Sequence, residues 1–293
     1  MDRKKFLKTL VLAPFAYQAM KMNALNQLNF SLEDSVKMPV LFVGHGNPMN
    51  AIEENEFVEG FRNVSKQIPK PQAIICVSAH WETRGTFVTA MEHPKTIHDF
   101  GGFPKELYEV EYPVLGNPEL AKQTQALLSK SEIGLNQDWG LDHGAWTVLK
   151  HLYPNADVPV VELSIDYTKD ARYHFELAQE LSSLRKKGVL IIGSGNIVHN
   201  LRLVAWDKFN ENYGFDWALE ANDIVRESIL NRDFAKIINY KSLGKAFELA
   251  VPTPEHYLPL LYALALAEQN EEIGIFNDAA LAGSLTMTSY KIG

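Results

Sequence analysis

A single α/β domain, with a central and mostly parallel sheet flanked by helices, is what this sequence predicts. Short and almost wholly apolar runs recur along it, "VLFVG", "AIICVS" and "VLIIG". Runs without polar alternation are those of strands covered on both faces. Longer stretches of helical pattern separate these runs, as in strand–helix–strand units. The 293 residues are 46% hydrophobic, enough for one sizeable core.

The elements follow in order. Val40–Val43 form the first strand, and a helix is expected over 53–67. "PQAIICVSAH" (71–80) is the second strand and "GTFVTAME" (85–92) a candidate third. Asn117 is placed to cap a helix over 118–131, with Pro118 at the first helical position, where no hydrogen bond is lost. "VPVVELSI" (158–165) reads as a strand and 171–187 as a long helix. "GVLIIGSG" (188–195) is another strand, apolar from Val189 to Ile192. Helices over 217–231 and in "HYLPLLYALALAE" (256–268) come next, and the alternating "GSLTMTSYKIG" (283–293) reads as a closing strand. There is no internal repeat or low-complexity tract.

Residues 1–35 read as a leader and 36–293 as the catalytic domain. Arg3, Lys4, Phe6, Leu7 and Lys8 resemble a twin-arginine export signal with lysine in place of the second arginine. A periplasmic location is favoured on that pattern, with a cytoplasmic one as the alternative. The apolar stretch from Leu10 to Ala19 is too short to span a bilayer, so stable membrane insertion is not expected. A net charge of −8 without a basic stripe argues against a nucleic-acid partner. Cys76 is the single cysteine, so a metal site would be built from histidine, carboxylate or water.

The nine histidines carry the chemical signal. His45, between Gly44 and Gly46, follows the first strand, and His80, in "VSAHW", follows the second. Carboxyl ends of strands are where α/β sheets place their sites. His199 lies just beyond another strand in "GSGNIVHN", His256 in "PTPEHYLP" and His143 in "DHGAW". His98, in "TIHDFGGFP", sits in a glycine-rich loop able to reach over a site. His93, His151 and His174 read as a turn residue and two helix residues. Neutral imidazole is the commonest ligand for transition metals, and a histidine-rich site without thiolates suits iron, zinc or copper. Other motifs are incomplete. "GSGNIV" has Val198 where a dinucleotide fingerprint needs its third glycine, and "IGSGN" lacks the hydrolase elbow. Trp81, Phe100, Phe103, Trp146 and Tyr257 are candidates to line an aromatic pocket, with core packing as the alternative.

Together "GHGNPMN", "VSAHW", "TIHDFGGFP", "DHGAW", "GSGNIVHNL" and "PTPEHYLPLLY" resemble the class III extradiol ring-cleavage dioxygenases, in the DOPA 4,5-dioxygenase branch. The resemblance runs from Met38 to Gly293. It implies a metal cleft at the strand ends of the sheet, with His45 and His80 as metal ligands and His256 at the third metal-binding position. His199 matches the acid/base histidine and is near enough to be a further ligand. His143 matches a histidine beside the ligands or against the substrate, with Asp142 able to fix its tautomer. His98 and Asp99 either reach the substrate or order their loop. Better-known enzymes of the class complete two histidines with a carboxylate. Here the corresponding stretch reads Glu255-His256, so either side chain could point inward. The implied cofactor is one divalent metal, non-haem Fe(II) for oxygen chemistry or Zn(II) as bound. The implied partners are a small aromatic diol, a DOPA-like catechol, and O2. The alternatives are a zinc-dependent hydrolase or lyase on the same histidines, or a noncatalytic metal-binding relative.

Overall fold

The structure, a computed structural model, describes residues 35–209 and 211–293. Except for Ser35, the leader read over 1–35 lies outside the described residues. Six strands form the central sheet: β1 (Val40–Gly44), β2 (Ala73–Ser78), β3 (Val160–Glu162), β4 (Val189–Gly195), β5 (Ile273–Phe276) and β6 (Ser289–Ile292), in the order β3-β2-β4-β1-β6-β5. The pairings β3–β2, β2–β4 and β4–β1 are parallel, whereas β1–β6 and β6–β5 are antiparallel. The sheet is therefore mixed, with three parallel pairings and two antiparallel ones: mostly parallel as expected, but not wholly so. The C-terminal chain returns alongside β1 in the opposite direction and adds two strands there.

Both faces of the sheet are covered, which explains the unbroken apolar runs. Val40, Phe42, Ile75, Val77 and Ile191 point to one face, where they meet helices α2 (Pro118–Leu127), α4 (Ala171–Gln179), α5 (Asp216–Leu230) and α6 (Leu258–Leu264). Leu41, Val43, Ile74, Cys76 and Ile192 point to the other face. There they pack on α1 (Glu56–Ser65) and α3 (His143–Leu152), chiefly against Phe61, Trp146 and Leu149. Successive strand residues face opposite ways, so a doubly covered strand needs no polar position. Each fully buried side chain of this size contributes about 1.5–3 kcal/mol.

Several expected elements are shorter or divided. The 171–187 helix ends as α4 at Gln179 and continues as a 3-10 turn over Ser182–Lys187, closed by Gly188. The strand at 85–92 forms only over Thr86–Thr89, and it pairs with Ile133–Asn136 outside the central sheet. The 158–165 run divides into β3 and Ile165–Asp166. The closing segment divides as well: Leu285–Thr286 pairs with Ala280–Leu281 before β6 begins. No helix among the described residues is long and apolar enough to cross a membrane.

Candidate functional site

The parallel register brings three strand ends level, with Gly44 opposite Gly195 and Ser78 opposite Ser194. His45 and His80 therefore emerge at the same edge of the sheet. Gly46, at φ +66°, turns the chain away immediately after His45. Asp142 caps α3 by accepting the Ala145 N–H at 3.1 Å, which places His143 at the first turn, facing the same edge. Gly144 lets that turn come close, since a Cβ there would lie 2.8 Å from the His80 ring. His199 follows β4, and His256 precedes α6. These five histidines and Asp99 line one cleft of about 630 Å³. Met49, Phe100, Phe103, Leu201 and Trp206 provide much of its apolar wall.

The hydrogen bonds set the orientation of the rings. The Ser194 hydroxyl donates to the Gly144 carbonyl at 2.5 Å, so its oxygen is free to accept from His45 Nδ1 at 3.1 Å. His45 Nε2 is then a lone pair directed into the cleft. His80 Nδ1 lies 3.4 Å from the Asp99 carboxylate, and His80 Nε2 is 3.1 Å from His45 Nε2. Glu255 accepts from Thr253 Oγ1 at 2.9 Å and stands 3.1 Å from His256 Nδ1. His256 Nε2 is buried with no hydrogen-bond partner. The His199 ring stacks on His256 at 3.4 Å between centroids, within 8° of parallel.

Burial dominates the electrostatics. It holds His45 and His256 well below the ordinary histidine range, helped by the neighbouring imidazoles. Burial, then His143, brings His80 down to about 3, and burial brings His199 down to about 4. These rings are neutral near pH 7, the form that ligates a metal. For Asp99, burial pushes the pKa up, but the hydrogen bonds from His143 outweigh it and the carboxyl stays below its usual range.

The donor atoms of His45, His80 and His256 all lie within 4.8 Å of one another. An unpartnered buried nitrogen beside two facing Nε2 atoms fits a divalent cation, because lone pairs held this close repel unless something positive lies among them. His80, Asp99 and His143 form a second such set, and His199, Glu255 and His256 a third. Both share histidines with the first.

Other expectations are corrected. Asp142 does not fix the His143 tautomer; it caps α3 and accepts from Ser78 Oγ at 2.6 Å. Asp99 bonds to His143 instead, by Oδ1 to the backbone N–H at 2.8 Å and by Oδ2 to Nδ1 at 2.9 Å. Trp81 is 3% exposed and stacks on Trp139, while Tyr257 is fully buried and donates to the Ile237 carbonyl. Neither lines the cleft. Trp146 is likewise buried, donating to the Ile97 carbonyl, which leaves Phe100 and Phe103 as the two aromatic candidates at the cleft. His98 is 3.0 Å from the Val110 carbonyl through Nε2 and packs on Phe100, Tyr108 and Trp146, so it orders the loop from beneath. Ser194 was not legible as a site residue, since a lone serine between glycines carries no signal about its partner.

Residues 38–278 match the family model described as the catalytic LigB subunit of aromatic ring-opening dioxygenase. The chain belongs to this family. It is 45% identical over 263 residues to the 4,5-DOPA dioxygenase extradiol of Escherichia coli (strain K12), covering 88% of this chain and 96% of that relative. A Beta vulgaris protein of the same name is 35% identical over 268 residues, covering 88% and 97%. The crystal structure of an uncharacterized protein from Escherichia coli K12 matches with a TM-score of 0.76 at 42% identity, over 87% of this chain and 100% of that one. The reaction class is that of a metal-dependent extradiol ring-cleaving dioxygenase, an oxidoreductase. A zinc-dependent hydrolase or lyase is not favoured by these relatives.

Proposed function

We propose that this protein opens the ring of a small DOPA-like catechol with O2, using a divalent metal held by His45, His80 and His256. The observation that carries the reading is the buried, unpartnered Nε2 of His256 beside the facing Nε2 atoms of His45 and His80. Glu255 then serves His256 through Nδ1 and is not itself a ligand. A divalent metal bound there would acidify a catechol hydroxyl, and Fe(II) would supply the redox chemistry for O2 that Zn(II) lacks.

The chain's own residues do the remaining work. His199 is neutral and faces the cleft, so it can take a proton from the catechol hydroxyl and return it as the ring opens. His143 presents Nε2 to the substrate, with its Nδ1 bonded to Asp99. Phe100, Phe103 and Trp206 hold the ring between apolar surfaces and exclude water around it. For residues 1–35 the proposal is a twin-arginine-like export signal. Its test is fractionation of cells making the full chain, with recovery of an intact N-terminus solely in the cytoplasm counting against it.

The test of function is oxygen uptake by metal-free protein reloaded anaerobically with Fe(II) or Zn(II), then given catechols. Uptake with Fe(II) alone, accompanied by a ring-opened product, is the expected result. Stoichiometric metal with no uptake on any catechol would reject the reading.

A further inference from the structure

We propose that Asp99 is a positioning residue that sets the tautomers of His80 and His143 together, and so couples metal binding to the geometry of the substrate face. The inference rests on the roles just proposed for those two histidines. Asp99 lies in the loop between the strand at Thr86–Thr89 and the short helix at Lys105–Tyr108, far in sequence from His143, yet it lines the cleft. One oxygen accepts the backbone N–H of His143 at 2.8 Å and so pins the start of α3. The other stands 2.9 Å from His143 Nδ1 and 3.4 Å from His80 Nδ1.

An ionised carboxylate only accepts hydrogen bonds. The hydrogen bond to its second oxygen therefore puts the His143 proton on Nδ1, and the negative charge 3.4 Å from His80 Nδ1 favours the proton on that nitrogen too, which leaves both Nε2 atoms as lone pairs. For His80 that lone pair is the atom facing His45 Nε2. For His143 it is the nitrogen left free of Asp99. The two rings lie 3.9 Å apart between centroids, so one carboxylate orients two imidazoles delivered by different elements, the end of β2 and the start of α3. Ser194 does the corresponding service for His45, and Glu255 for His256. Asp99 is distinguished by serving two rings at once, one at the metal and one at the substrate.

Asp99→Asn tests this with little change of shape. The amide would place a donor where an acceptor stood, favouring the opposite tautomer of the ring it faces. In full-length Zn(II)-loaded protein with 15N-labelled histidine, the wild type is expected to show His80 and His143 protonated on Nδ1. In the variant the His143 proton moves to Nε2, and Zn(II) affinity falls about 10–100-fold. With Fe(II) and a catechol, kcat falls more than KM rises. Asp99→Ala loses the same properties and regains part of them with added formate, which a purely structural role would not allow. A wild-type His143 protonated on Nε2 overturns the proposal without any variant. So does Asp99→Asn protein with an unchanged tautomer and Zn(II) affinity within twofold. If the tautomer shifts as expected but the wild type opens no catechol, the dioxygenase reading falls while the positioning of the two rings stands.

Discussion

Two kinds of buried histidine occur in this molecule, and the contrast separates chemistry from architecture. His174, on α4, is fully buried, and burial brings it down to about 4. His256 is nearly as buried and is also held well below the ordinary range. Lowered basicity therefore marks burial, not function. The distinction lies in the partners. His174 has Tyr262 Oη at 2.9 Å from Nδ1 and the Asp166 carbonyl at 3.2 Å from Nε2, so both nitrogens are engaged. His256 has Glu255 on one nitrogen and nothing on the other. His151 belongs with His174, its Nε2 lying 2.7 Å from the Asn50 carbonyl.

The largest effects should divide along that line. His45→Ala, His80→Ala and His256→Ala are expected to lose bound metal and at least about 10³-fold in kcat/KM. His174→Ala should keep full metal stoichiometry and lose about 2–4 kcal/mol of stability, because it opens a cavity and strands the Tyr262 hydroxyl. Metal analysis together with denaturant unfolding decides it. Loss of metal in His174→Ala alone would break the comparison. His199→Gln should retain metal and lower turnover by about 10²–10⁴. Full activity on a catechol would remove His199 from the chemistry.

The smallest effect concerns acid stability and sharpens the architectural side. His174 ionises near 6.5 when unfolded but near 4 when folded. The unfolded chain therefore binds more protons in that window, and stability falls as pH drops from about 6.5 towards about 4. Glu271 repeats the pattern lower down. Burial would raise its carboxyl, but hydrogen bonds from the buried Arg185 and from Lys37 outweigh it and bring it to about 2. Its contribution, complete above the unfolded value of 4.5, is lost as pH falls towards 2. Unfolding midpoints measured from pH 8 to pH 2 should show a shallower upper decline in His174→Ala, the other lowered histidines keeping the remainder, and a shallower lower decline in Glu271→Gln. An unchanged profile in either variant contradicts the assignment for that residue.

Much of the frame was legible because it follows from local rules. Val189–Ile192 reads as a strand covered on both faces and Asn117-Pro118 as a helix start; Asn117 does accept the Leu120 N–H at 2.9 Å. The antiparallel return of β6 and β5 was not legible, because alternation within a strand says nothing about the direction of its neighbour. Trp81 shows the same limit at the site. It adjoins His80 in the chain, but the chain turns at Ala79–His80, and Trp81 leaves that turn to stack on Trp139 instead of facing the cleft.

By itself the sequence determined an α/β domain, histidines placed after strands, and, through six ordered motifs, the family to which the chain belongs. Only the tertiary structure decided which of those histidines lack partners, that Glu255 stands behind His256, and that Asp99 rather than Asp142 serves His143. The physical reason is range. Hydrophobic periodicity, caps and turns act within a few residues, whereas a carboxylate reaching an imidazole 44 positions away depends on how separate elements pack.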